Sequence, residues 1–403
     1  MAGLAFLGPD TDAYVSSVQH NVGEFTDATG IDVDVRIVDS DTYFSNDIHG
    51  LLEEGVDVFM SGPVLLWEHV GAGFVEPLDE YARAGWDAED FVPSLLDANR
   101  WTGRFGDRLG SGPLLEVPVN CESYNLAYVP EHLERLELPV PATWDEYFDV
   151  ARALADGGVR GFGQRGLQVW HTMYTGYASQ VWSSGGSDFD AAGRCAIASP
   201  AVVEATTAFV EGLRAAGPPD WLEQRWYELA LDFAQGKYGL IVDSDHYVAF
   251  FEDPEYSSLV GRIGYAAPPA GPGGEVRPNL WTWSLVMNAR SSRKDEAWRF
   301  IEWASSSEFL LRSVFEGNMN PTRRSVWDHP RFAEHVAGWG DFAAVARDLV
   351  ENRASLLITP SVDYLSIGDR WVRALREAYA GEAGVAEALE RAAADIDAIV
   401  RAQ

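Results

Sequence analysis

The chain has 403 residues, 47% hydrophobic and 12% aromatic, with 15 tryptophans and a net charge of −32 from 62 acidic and 30 basic residues. That length exceeds one ordinary core and predicts two α/β domains, and the apolar content excludes a disordered chain. The negative field disfavours nucleic acid and anionic lipid as partners. The opening "GLAFLGPD" reads as a buried strand entering a Gly-Pro-Asp turn. A helix follows, with Tyr14, Val15, Val18, Val22 and Phe25 at helical spacing and Gly30 as its stop. "IDVDVRIV" alternates strictly, a strand with Ile31, Val33, Val35 and Ile37 on one face. "DSDTYFSND" at 39–47 reads as a solvated loop, and after a further helix "VDVFMSG" is an apolar strand ended by Gly62-Pro63. Strands alternating with helices predict a mainly parallel sheet covered by helices on both faces.

"LEVPVNCESYNLAYVP" reads as two short extended runs, and "TWDEYFDVARALA" as a helix opened by a capping box of Thr143 and Glu146. Residues 199–216 form an amphipathic helix, and "LALDFAQGKYGLIVDSD" supplies a helix end and a buried strand. "APPAGPGGEVRPN" is a long turn and the best linker in the chain. In "RPNLWTWSL", Trp281 and Trp283 lie two apart, so an extended backbone points both indoles to one face, a flat surface for a ligand to lie on. "SSRKDEAWRFIEWASSSEF" reads as one helix whose Trp298, Ile301 and Phe309 pack on a sheet. The remainder after residue 342 is nearly all helical, without internal repeats or low-complexity tracts.

Cys121 and Cys195 stand 74 positions apart, which disfavours a thiolate zinc cluster and leaves a disulfide and two free thiols equally open. No D-x-D-x-D-G loop, H-E-x-x-H, G-x-S-x-G or phosphate-binding glycine loop with its lysine occurs, so neither metal nor cofactor is expected. No apolar run approaches the ~20 residues of a membrane span. "MAGLAFLGPD" contains no signal peptide, which fits a cytosolic protein or an exported one whose signal has been replaced by an initiator Met.

Several stretches in order resemble the extracellular solute-binding proteins of ABC importers, in the carbohydrate group related to maltose-binding protein. They are "EFTDATGIDVDVRIV", "GVDVFMSGPVLLWEHVGAGFVEPLDEY", "VPVNCESYNLAYVPEHLERLELPVPATWDEY", "FAQGKYGLIVDSD", "LWTWSLVMNARSSRKDEAWRFIEWASSSEF" and "NPTRRSVW". "RGFGQRGLQVW" and the W-x-W before "SLVMN" are most similar to the subgroup that binds polyols such as sorbitol or mannitol. The resemblance implies a two-lobed α/β periplasmic-binding-protein fold of type II with a ligand cleft that closes by hinge bending. Residues 1–117 and about 271–322 would form the N-terminal lobe, and 118–270 and about 323–403 the C-terminal lobe. Hinge crossings would fall near 118, 270–280 and 322. It also implies an extracytoplasmic monomer without catalytic activity or cofactor. Its partners would be a sugar or sugar alcohol and an ABC permease with its ATPase pair, and its membrane link no more than a removed signal or lipid anchor.

A neutral polyol asks a site for carboxylate and amide acceptors, an arginine or amide donor, and an aromatic ring against its C–H faces. At the positions the family would use, the chain offers Asp12 after the first strand, and Ser61 and Gly62 at the end of "VDVFMSG". Asn120 and Glu122 lie in the crossover strand, Arg165 in "QRG", and His171 with Tyr174 on the segment that follows. Asp243 and His246 end the strand "YGLIVD", Trp281 and Trp283 form the W-x-W, and Asp363 and Tyr364 lie in "TPSVDYLSIGD". Each has an ordinary structural alternative: a helix cap for Asp12, a plain turn for Ser61–Gly62, a buried salt bridge for Glu122, surface pairing for Arg165 and core packing for the aromatics. The rival functions are a secreted carbohydrate-active hydrolase or lyase, which would also use paired carboxylates and tryptophans, and a sugar-sensing binding protein.

Overall fold

Strand β1 (Leu4–Pro9) is buried at every residue, as an apolar run flanked by two neighbours should be. In the computed structural model, which describes residues 3–45, 47–83, 85–168 and 175–402, seven further strands follow. These are β2 (Val33–Val38), β3 (Val58–Ser61), β4 (Val117–Tyr128), β5 (Arg160–Gly163), β6 (Tyr238–Ser244), β7 (Gly264–Ala266) and β8 (Leu280–Met287). The chain divides into two compact units. The first holds Met1–Glu122, Trp281–His335 and Pro360–Tyr364, and the second Ser123–Leu280, Val336–Thr359 and Leu365–Gln403.

In the first unit β1 is parallel to β2 and to β3, and β8 adds antiparallel to β3 with Ser61 opposite Ser284. β2 is an edge strand: its apolar face is only half-buried and Ile37 is exposed. The helix Ala13–Thr29 returns from β1 to β2, started by the Asp12 side chain and stopped at Gly30, whose left-handed φ of 73° suits a residue without Cβ. In the second unit β6 lies between parallel β5 and antiparallel β4, and β7 pairs with β4. The helix Trp144–Asp156 carries the capping box of Thr143 and Glu146, and Pro200–Ala216 packs beside it.

Three expectations need correction. "LEVPVNCESYNLAYVP" holds one twelve-residue strand rather than two short runs, because its polar residues Asn120, Ser123 and Asn125 are buried together with their apolar neighbours. The single helix expected over 291–309 is two, Lys294–Ala304 and Ser307–Val314. Ser305 and Ser306 bond back to the carbonyls of Ile301 and Trp303, and Ser306 accepts the Phe309 N–H as a new cap. Of the stretch 39–47 expected as a solvated loop, residues 39–45 are no plain loop. Asp39 caps the helical turn Ser40–Tyr43, and Tyr43 is buried with its hydroxyl donating to the Met60 carbonyl. Trp298, Ile301 and Phe309 are buried. Cys121 and Cys195 are not joined in a disulfide.

A histidine pair lies inside the first unit. His69 on the helix Pro63–Gly71 is buried, and its Nδ1 is 3.2 Å from His49 Nε2, with Phe59 edge-on at 5.2 Å. Burial, and then the neighbouring His49, push His69 down to about 3. The unfolded chain therefore binds a proton that the folded one refuses, and the stability it contributes, complete above about pH 6.5, is lost as pH falls toward about 3. The expected result for His69→Gln is a shallower acid transition. The wild type should lose about 1.4 kcal/mol per pH unit relative to the variant below about pH 6.5, read by urea unfolding. Parallel curves for the two proteins would show that His69 titrates normally.

Candidate functional site

In the first unit, the candidate residues collect at the ends of β1, β3 and β8. Asp12 leaves β1 half-exposed and caps the following helix, its Oδ1 accepting the N–H groups of Tyr14 (2.8 Å) and Val15 (3.3 Å). Ser61 ends β3 fully buried, and Gly62 is the extended N-cap residue of the helix Pro63–Gly71. A Cβ on Gly62 would lie 2.5 Å from Cζ2 of Trp281, so only glycine lets that indole settle against the turn. A proline opens the helix at its first position, where no amide partner is needed.

Trp281 and Trp283 do not form a flat platform. Their rings meet edge to face at 5.5 Å and 67°; Trp281 is only 3% exposed, whereas Trp283 is half-buried. Trp283 Nε1 donates to Glu122 Oε1 at 2.8 Å, and Phe44 tilts against its ring at 5.7 Å. Asn120 lies deeper, its Nδ2 donating to Asn318 Oδ1 at 2.5 Å, and Asn318 in turn donates to Ser313 Oγ. Tyr364 is fully buried, edge-on to Trp67 at 5.7 Å, while Asp363 at the start of the same helix is half-exposed.

In the second unit, Arg165 and Asp243 are brought together. Arg165 Nε and Nη2 donate to the two oxygens of Asp243 at 3.0 and 2.5 Å, and the Ser244 N–H adds a third bond at 2.7 Å. The pair is almost wholly buried, with side-chain exposures of 9% and 1%. Burial alone would lower the guanidinium, but Asp243 outweighs it and raises Arg165 well above its ordinary value. The Arg165 backbone is held as firmly: its carbonyl accepts Trp221 Nε1 at 2.7 Å, and Gly166 passes so close to the Trp221 carbonyl that a Cβ would sit 1.7 Å from that oxygen. Arg165 lies over Tyr247 (5.4 Å), which stacks with Trp226 at 6.3 Å and 19°. His246 is half-buried, its amide donating to Ser244 Oγ. His171 and Tyr174 fall outside the described residues.

Four residues of these neighbourhoods went unread in the sequence. Tyr43 and Phe44 were hidden in a stretch that reads as a loop, although Asp39 three positions before Thr42, ahead of the Tyr-Phe pair, is the signature of a capped apolar turn. Trp226, beside Tyr247, carried no spacing signal. Glu116 is a carboxyl with no exposed surface, two residues before Pro118. Among the described residues no group of three or more His, Cys, Asp or Glu side chains is placed to hold a metal ion. Nor is any helix long and apolar enough to cross a membrane. Chemically, the first unit presents a carboxylate and an indole side by side, and the second a neutralised ion pair flanked by aromatic rings.

The model of the Bacterial extracellular solute-binding protein family matches residues 8–309. The chain is 29% identical over 388 residues to the Erythritol/L-threitol-binding protein of Mycolicibacterium smegmatis, covering 92% of this chain and 80% of that protein. A solute-binding protein of Agrobacterium radiobacter K84, solved in complex with ribitol, matches with a TM-score of 0.84 at 23% identity over 99% of this chain and 98% of its own. Maltose-bound T. maritima MalE3 matches with a TM-score of 0.84 at 20% identity, over 98% and 99%. At these identities the two structures establish the fold.

Proposed function

We propose that this chain, which belongs to the bacterial extracellular solute-binding protein family, captures a small neutral polyhydroxylated solute, a sugar alcohol or a sugar, and hands it to an ABC import permease. The family is one of binding proteins, not enzymes, and the carboxylates near the candidate site are acceptors rather than an acid–base pair. One observation carries the ligand class. Glu122 is held by the Trp283 indole N–H through a single oxygen, and among the described residues no hydrogen bond reaches the other. A free carboxylate oxygen beside a half-buried indole is what a polyol needs: an acceptor for O–H and an apolar face for C–H. The relatives named for erythritol, L-threitol and ribitol support the same class.

Within this reading, Asp12, Ser61, Gly62, Asn120, Glu122, Arg165, His171, Asp243, His246, Trp281, Trp283 and Tyr364 serve the solute. The tightly bonded members act by fixing their neighbours. The Asp243–Arg165 pair presents hydrogen-bonding groups without net charge, which suits a neutral solute better than an acid or an amine. The protein works outside the cytoplasm as a monomer, with the permease as its macromolecular partner.

A thermal-shift screen over sugar alcohols, monosaccharides and short oligosaccharides tests this. A solute bound only by the folded state adds RT ln(1 + [L]/Kd), about 2.7 kcal/mol at one hundred times Kd, a rise on the order of 5 °C. A rise of that size with one or a few compounds, and no turnover of any, is the expected result. No shift across the whole panel would defeat the ligand class, and release of product from a glycoside panel at enzymatic rates would defeat the binding-protein reading.

A further inference from the structure

Two glutamates precede or occupy β4, and their surroundings differ. Glu122 is half-buried and accepts an indole N–H, whereas Glu116 has no exposed surface and lies in the buried run Leu114, Leu115, Val117. Neither carboxyl oxygen of Glu116 makes a hydrogen bond of good geometry, and nor does the Ser284 hydroxyl, although that hydroxyl is near enough to favour the charged form in part. Two polar groups are coupled to Glu116. Ser284 comes from β8, and Tyr43 from the turn Ser40–Tyr43; Tyr43 also senses Asp12 at the start of the first helix. Among the described residues no arginine, lysine or histidine forms an ion pair with it. An isolated carboxylate there would have lost its hydration with little in exchange, while the protonated acid gives up far less.

The position matters because of what these neighbours hold. Ser284 stands opposite Ser61 in the β3–β8 pairing, one residue from Trp283 on one strand and one from Gly62 on the other. Tyr43 donates its hydroxyl to the Met60 carbonyl, next to Ser61. Glu116 thus lies within electrostatic reach of both supports of the strand ends that carry the solute-binding candidates of the first unit.

We propose that Glu116 is kept as an uncharged carboxylic acid and forms an alkaline switch in the first unit: its ionisation loosens the β3–β8 pair that presents Ser61, Gly62 and Trp283. Burial drives its carboxyl well above the ordinary 4.5, and Ser284 opposes this only in part. The folded chain therefore retains a proton that the unfolded chain has released. Folding weakens as pH rises above about 4.5, until the pH at which folded Glu116 itself ionises. The switch does not depend on which solute is bound, so its test is made without one, and its failure leaves the solute-binding reading untouched.

Wild type and Glu116→Gln are unfolded in urea from about pH 5 to about pH 8. The folding constant of the variant divided by that of the wild type is expected to rise about tenfold per pH unit. A ratio that stays constant over this range overturns the proposal. Glu116→Leu serves the same comparison if the amide variant does not fold. Infrared spectra give an independent reading: at about pH 8, above the range in which buried Asp188 (about 6) titrates, the wild type should retain a carboxylic-acid carbonyl band that the variant lacks. Absence of such a band from the wild type overturns the switch.

Discussion

Replacing Trp283 with alanine is expected to weaken solute binding by about tenfold or more, some 1.4 kcal/mol at least, while the protein remains folded. The indole is half-buried, so its removal opens little of the core, but it takes away two things at once. The apolar face for a polyol's C–H groups is lost, and so is the 2.8 Å bond that orients Glu122. Trp281→Ala is expected to behave differently. That ring is buried against Gly62, and truncation leaves a cavity costing about 3–5 kcal/mol of stability, with binding reduced as a consequence. Calorimetric titration with the best compound of the screen, beside urea unfolding of each variant, separates the two. Unchanged affinity in Trp283→Ala would remove this residue from the site.

Asp243→Ala carries the second large effect. It leaves the Arg165 guanidinium buried without its counter-charge, and breaking such a pair from one side costs about 3–5 kcal/mol. Arg165→Lys is not expected to substitute, because one ammonium cannot supply the fork that meets both oxygens of Asp243. The double variant Arg165→Met, Asp243→Leu should recover much of the stability while failing to bind solute. Equilibrium unfolding of the three proteins decides the matter: a single Asp243→Ala variant within about 1 kcal/mol of wild type would mean that the pair is not a buried unit.

Much of the fold was legible in local chemistry. Asp12, Thr143 with Glu146, and Gly30 announce their helix ends in the sequence because capping is decided within a few residues. Arg165 and Asp243 were each recognisable as polar residues at strand ends, yet their union across 78 positions is a product of the β5–β6 pairing and leaves no local trace. The W-x-W was readable as two rings on one face, but not as an edge-to-face pair, since that angle depends on the notch at Gly62. Glu116 escaped notice for a similar reason. An acid after two leucines looks like a rim residue until the fold is known to bury it. β4 misled because a strand buried on both faces shows no alternation.

The seating of Trp281 on Gly62 also bears on how this protein can drift over generations. Any side chain at 62 meets the indole first, at 2.5 Å, and then the Thr282 carbonyl at 2.9 Å. The two positions are therefore locked into joint inheritance: a substitution at 62 survives only in a lineage where 281 has already shrunk and its strand has shifted. New solute preferences would more readily arise at Trp283, Phe44 and Glu122, which are only half-buried.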